Sequence, residues 1–201
     1  MSAVRGSLRA SGEALAAAVA DPGFAAAVER AAARVVETLR SGGKLLVFGN
    51  GGSAADAQHL AAELVGRFRV ERRGLPAVAL TTDSSVLTSV GNDSGFERVF
   101  ARQVEALGGA GDAVVAISTS GESPNVLAAV ETARSRGLAV IALTGRDGGR
   151  LAGASDVAVV APVAVTARIQ ECHVAAIHAI CEAVDEAFGG TRGEAGPAGS
   201  G

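Results

Sequence analysis

The stretch from Lys44 to Gly66, KLLVFGNGGSAADAQHLAAELVG, most constrains what this chain can fold into. Leu45 to Phe48 form a short apolar run, the pattern of a strand buried on both faces of a parallel sheet. Gly49, Gly51 and Gly52 then let the backbone turn tightly and approach a ligand without Cβ interference. Ser53 is placed to cap the helix that follows, whose free N–H groups and partial positive charge make an anion cradle. Within that helix His59 and Glu63 stand at i and i+4, on one face. A phosphate-sized site is therefore expected within a few turns of a carboxylate and an imidazole.

The rest of the chain alternates strand and helix signals. Residues from about Ser7 to Arg40 read as helical, broken near Asp21-Pro22-Gly23, and Gly42-Gly43 closes the segment. Further strands are expected at Ala77–Thr81, Ala113–Ile117, Ala139–Leu143 and Val157–Val160. Between the second and third, TTDSSVLTSVGNDSGFERVFARQVEALG predicts two short helices joined by a loop at Gly91-Asn92-Asp93. A helix runs to about Arg136, and a long one, Ala167 to Phe188, closes the fold. KLLVFGNGGS is weakly echoed by DAVVAISTSGES, and PAVALTTD by AVIALTGRD. Such alternation with right-handed crossovers predicts a three-layer, doubly wound α/β sandwich with a five-stranded parallel sheet. The boundaries expected are a helical segment over 1–40, an α/β domain over 41–188 and a disordered tail over 189–201, whose composition lacks apolar residues able to pack. Ligands of such sheets bind beyond the carboxyl ends of the strands, where both GNGGS and STSGES lie.

Composition excludes several classes. The net charge is −3, with no basic stripe and few aromatics, so nucleic acid is not an expected partner. No segment is long and apolar enough to span a membrane. Arg5 and Arg9 before Ala14–Ala20 only faintly imitate a signal peptide, because Glu13 interrupts the run and alanine supplies little hydrophobic drive. Cys172 and Cys181 are too few for a disulfide framework, which favours a reduced, cytoplasmic protein.

The first loop also matches G-x-G-x-x-A at Gly49, Gly51 and Ala54, the loose dinucleotide fingerprint. Asp83, the acidic residue after the second strand, lies 34 positions beyond Gly49 rather than about 20, so the match is weak. The second loop is more specific. Ser118, Thr119, Ser120 and Ser123 gather hydroxyls at a helix start, with Ser123 at the cap position and Pro124 first in the helix. One serine would serve a plain capped turn. Four hydroxyls with backbone N–H groups can hold a phosphate dianion without Lys or Arg.

His59 and Glu63 alone would read as a surface pair. Gln170 and His178 alter that weighting: they lie eight residues apart, about 80° around the closing helix, and share a broad face. That face can meet the His59 helix, within one subunit or between two. Such nitrogen and oxygen donors suit Zn²⁺ or another borderline divalent ion. His173, about 140° from His178, ranks below it.

Together GNGGSAADAQHLAAE, LTTDSSVLTSVGND, AISTSGESPNVL and ARIQECHVAAIH resemble the phosphoheptose (sedoheptulose 7-phosphate) isomerases of the sugar isomerase (SIS) domain family, from about Ala14 to Phe188. The resemblance implies a SIS, flavodoxin-like sandwich and conversion of sedoheptulose 7-phosphate to D-glycero-D-manno-heptose 7-phosphate, the first step of ADP/GDP-heptose biosynthesis. It implies that Asn50, Gly51, Gly52, Asn92 and Asp93 contact substrate and that Ser118, Thr119, Ser120 and Ser123 hold its phosphate. His59, Glu63, Gln170 and His178 would bind one Zn²⁺ per subunit, Glu63 and Gln170 also meeting substrate, with Glu63 and His178 serving proton transfer. It implies a homotetramer with sites at subunit interfaces, the N-terminal helices packing on a partner. This chain departs from some members in having Ala167 where they carry an acidic residue. Two relatives are rivals: a non-catalytic assembly factor for the bacterial replication initiator, and a phosphosugar-sensing regulator. The assembly factor lacks the Glu and the last His retained here as Glu63 and His178, and no DNA-binding segment accompanies the present domain.

Overall fold

In the computed structural model, which describes residues 2–189, five parallel strands form one sheet. They are β1 (Leu45–Gly49), β2 (Ala77–Ala79), β3 (Ala113–Ser118), β4 (Ala139–Gly145) and β5 (Val157–Ala161), in the order β2-β1-β3-β4-β5. The expected doubly wound sandwich is the architecture observed. Leu45 to Gly49 pair with Ala113 to Ile117, so the loops leaving β1 and β3 emerge side by side. That is where the winding direction reverses and where ligands of such sheets bind. Every residue of β1 and β3 is buried, as strands covered on both faces require, whereas the edge strand β5 alternates.

One helical layer contains α1 (Ala3–Ala20), α2 (Pro22–Arg40), α3 (Gly52–Val65) and α8 (Thr166–Phe188). The other contains α4 (Ser84–Ser94), α5 (Val99–Leu107), α6 (Pro124–Ser135) and α7 (Gly149–Gly153). Asp21 separates the first two helices and caps α2, accepting from the Phe24 N–H at 2.7 Å, with Pro22 first in the helix. Phe24, Ala27, Ala31, Val35 and Leu39 recur at helical spacing and bury one face of α2 against β5 and α8 of the same chain.

Two local expectations are corrected and one short helix is added. Gly91, Asn92 and Asp93 lie inside α4, whose Asp83 cap starts it and whose break comes later, at Gly95 with φ +85°. The N-cap of α3 is Gly51 at φ +57°, not Ser53, whose side chain is buried within the first turn. The TGRDGG stretch adds the short helix α7, opened by Gly148 and Gly149, both at positive φ. The tail expected to be disordered falls outside the described residues, except Gly189, where α8 ends.

Candidate active site

The loop after β3 is internally wired. Ser118 Oγ lies 2.9 Å from Ser123 Oγ and 3.5 Å from Ser120 Oγ, while Ser120 Oγ accepts from the Glu122 N–H at 3.2 Å. Ser123 occupies the N-cap position of α6 but makes no capping hydrogen bond; its hydroxyl turns into the loop instead. Three serine hydroxyls thus gather at a helix N-terminus, with Thr119 half-buried between them and outside their hydrogen-bond chain. Gly121, at φ +69°, is irreplaceable here, because a Cβ would sit 2.1 Å from the Gly148 carbonyl. Glu122 fastens the loop to α7 by accepting from the Arg150 N–H at 2.7 Å and Nε at 2.6 Å. These bonds hold the Glu122 carboxyl below the ordinary carboxylate range.

The two ligand loops are tied by a reciprocal amide pair. Asn50 Nδ2 donates to Asn125 Oδ1 and Asn125 Nδ2 to Asn50 Oδ1, each at 2.9 Å. Asn125 is 3% exposed, and sequence alone marks it only as the residue after Pro124. Its only sequence signal was a polar residue on the inward side of an amphipathic helix.

On the opposite layer, α3 and α8 bring His59 and His178 together. Their Nε2 atoms are 2.8 Å apart and the rings meet edge to face, with centroids 5.1 Å apart. At that distance a hydrogen bond can join the two rings, its direction set by their tautomers. Glu63 Oε1 lies 3.8 Å from His59 Nδ1, on the far side of that ring. Phe68 packs against His178 at 5.4 Å between centroids and shields one face of the ring. The Gln170 amide reaches the other end of α3, so close to Gly52 that a Cβ there would lie 2.2 Å from Nε2. Ala167, Gln170 and His178 line one groove of about 550 Å³, which places the missing acidic position at the same site. Asn92 and Asp93 do not join this group: they are exposed on α4, with Asn92 Nδ2 bonded to Asp93 Oδ1 at 2.8 Å. His173 is a core residue, fully buried, with Nε2 2.9 Å from the Thr144 carbonyl; burial pushes its pKa down.

The donor set fits a divalent ion in kind, with two imidazoles, a carboxylate and an amide oxygen. In arrangement only the imidazoles converge, closer than the roughly 3.3 Å separating two nitrogens on one tetrahedral zinc. No group of three or more His, Cys, Asp or Glu suited to a metal occurs among the described residues.

The hydroxyl-lined loop leaves the sheet at its switch point, the place where α/β domains of this class take their ligands. The chain belongs to the SIS domain family, whose sequence pattern matches residues 10–145. Its relatives narrow this further. The chain is 60% identical over 157 residues to a phosphoheptose isomerase of Pelobacter propionicus, covering 78% of this chain and 83% of the relative. It superimposes on a phosphoheptose isomerase from Neisseria gonorrhoeae with TM-score 0.85 and 48% identity, covering 91% and 97% of the two chains. The corresponding protein of Francisella tularensis gives TM-score 0.87 at 40% identity, covering 91% and 96%. Within the SIS family the chain therefore stands among the phosphoheptose isomerases.

Proposed function

We propose that this protein isomerises sedoheptulose 7-phosphate to D-glycero-D-manno-heptose 7-phosphate, the opening step of nucleotide-activated heptose synthesis. The observation that carries this reading is the meeting of His59 and His178 beside Glu63, on a chain so similar to phosphoheptose isomerases. The serine loop at 118–123 takes the phosphate, with the backbone at Asn50, Gly51 and Gly52 approaching the sugar. Moving the carbonyl from C2 of the ketose to C1 of the aldose requires transfer of a proton from C1 to C2 and redistribution of protons on O1 and O2. Glu63 takes the carbon-bound proton, and His178 hands a proton to the developing enediolate oxygen; the contact with His59 orients the His178 ring. Phe68 over that ring keeps bulk water from one side of the transfer.

His59, Glu63, Gln170 and His178 would hold one Zn²⁺ per subunit, which when bound would polarise the substrate carbonyl. Glu63 then has two roles in tension, since a coordinated carboxylate is a weaker base. Asn92 and Asp93 meet the site only if another copy supplies them or α4 moves. That is one reason to read the protein as a homotetramer, with α1 and α2 facing a partner. No helix among the described residues is long and apolar enough to cross a membrane, and we read the protein as cytoplasmic.

Incubating the purified protein with sedoheptulose 7-phosphate and following heptose 7-phosphate formation tests the function. Elemental analysis of protein prepared without chelator tests for zinc, and light scattering tests for the tetramer. A folded protein that binds phosphosugars without turnover would point to a sensor, and one that captures a replication initiator to the assembly factor.

A further inference from the structure

Away from both ligand loops, Arg72 and Asp185 form a buried ion pair, their side chains 1% and 4% exposed. Arg72 Nε donates to Asp185 Oδ1 at 3.0 Å. Nη2 donates to the Glu63 carbonyl at 2.8 Å, and Nη1 to the carbonyls of Leu64 at 3.0 Å, Arg73 at 3.1 Å and Gly66 at 3.3 Å. Asp185 Oδ2 in turn accepts from the Arg69 and Val70 N–H groups at 2.7 and 2.9 Å. The carbonyls of Glu63 and Leu64 belong to the last turn of α3, where a helix has no partners of its own to offer them. The guanidinium fork therefore caps the helix that carries His59 and Glu63, and ties that cap to the helix that carries Gln170 and His178.

Helices α3 and α8 run side by side in the same direction. Gly52 meets Gln170 at one end, His59 meets His178 in the middle, and the last turn of α3 reaches Asp185 through Arg72 at the other end. We infer that Arg72 and Asp185 are a positioning pair for proton transfer: they fix the axial register of α3 against α8, and with it the placement of Glu63 relative to His178. This rests on the isomerase reading above. Filling the same volume needs no charges, since buried ion pairs can often be replaced by apolar side chains. Only a multidentate donor holds the backbone of the base itself to the neighbouring helix.

The test is steady-state kinetics with sedoheptulose 7-phosphate on wild type, Arg72→Lys and Asp185→Asn, alongside inhibition by inorganic phosphate and thermal melting. Lysine keeps the charge but cannot reach Asp185 and both α3 carbonyls at once. Misplacement of catalytic groups on the ångström scale predicts kcat lower by about 10- to 10²-fold in Arg72→Lys. KM and phosphate inhibition should stay within about twofold, because the serine loop is remote from the pair. Asp185→Asn keeps the shape and should show a smaller loss of the same kind; it carries the test if Arg72→Lys does not fold. An active wild type with folded variants of unchanged kcat and lowered melting temperature makes the pair merely structural and overturns the assignment alone. A rise in KM with kcat retained also overturns it. A folded wild type without isomerase activity overturns the functional reading, and this assignment with it.

Discussion

In the serine loop the partners Ser118 and Ser123 are five residues apart, and at the α3–α8 seam His59 and His178 are 119 apart. The loop's geometry follows from one strand end, one helix start and the conformation of Gly121. The seam's geometry exists only once two helices have packed on the same face of the sheet. An anion site can therefore be built locally and tolerate small shifts, because several hydroxyls share one ligand. A proton-transfer pair cannot, because its chemistry depends on the separation of two groups held by distant parts of the chain. If the loop holds phosphate and the seam moves protons, as proposed above, damage at one region should spare the function of the other.

The largest expected effect comes from the seam. Glu63→Gln keeps size and hydrogen bonding but removes the proposed base, and turnover should fall about 10²–10⁴-fold, the usual range for general acid–base catalysis. His178→Gln should cost a similar factor, and the double variant little more, since both residues serve one step. Phosphate inhibition should be unchanged in all three. Full activity in Glu63→Gln would leave the fold standing and assign the base elsewhere.

The loop should answer with the opposite signature. Replacing Ser118 and Ser123 together by alanine removes two hydroxyls that would bond a charged oxygen, each worth about 1.5–3 kcal/mol. KM should rise by at least about tenfold per lost bond, with kcat nearly kept. A fall in kcat at unchanged KM would show that the loop does more than hold the phosphate.

The same difference governs what the sequence disclosed. The sheet was legible because β1, β3 and β4 are apolar runs ended by glycine or hydroxyl loops, and all five strands appear within two residues of their expected ends. The serine loop was legible because its residues are contiguous. At the seam the residue types could be named, since His59 with Glu63 and Gln170 with His178 share helix faces, but nothing in one helix states its register against another. Asn125, Phe68 and Arg72 escaped for that reason: each acts on a residue remote in sequence or through a backbone carbonyl. Ser53 and the stretch at 91–93 were misplaced by local turn chemistry that the left-handed Gly51 and Gly95 took over.

Two glycine replacements sharpen the contrast. In Gly121→Ala the new methyl meets the Gly148 backbone at 2.1 Å, from a left-handed φ that alone costs about 1–3 kcal/mol. That variant should lose stability and phosphate binding together. In Gly52→Ala the methyl meets the end of the Gln170 side chain, which can swing away. Its melting temperature should stay near wild type while turnover drops. Equal destabilisation of the two would mean that Gln170 is as fixed as a backbone.

The smallest effect distinguishes two buried carboxylates on the seam helices by the sign of their pH dependence. Burial alone would raise the Asp185 pKa, but the N–H groups of Arg69 and Val70 and the Arg72 guanidinium outweigh it and hold the group below its ordinary value of 3.8. Its stabilisation is complete above that value and is lost as pH falls through the lower folded one. Asp56 in α3 behaves oppositely. Burial raises its pKa above 3.8 against the pull of His59, and its Oδ2 has no hydrogen-bond partner among the described residues. At neutral pH the unfolded chain carries this carboxylate ionised, and the folded chain bears the cost of its burial. As pH falls through the raised folded value a proton relieves it. Asp56→Asn should therefore stabilise the protein at pH 7, by on the order of 1 kcal/mol, with the gain shrinking toward pH 4. Asp185→Asn should destabilise it at pH 7, with the loss fading only at more acid pH. Urea unfolding of both variants at pH 7 and pH 4 reads the two trends. A loss of stability in Asp56→Asn at pH 7 would mean that a group outside this chain, in a bound ligand or a second copy, pairs with Asp56 in the working protein.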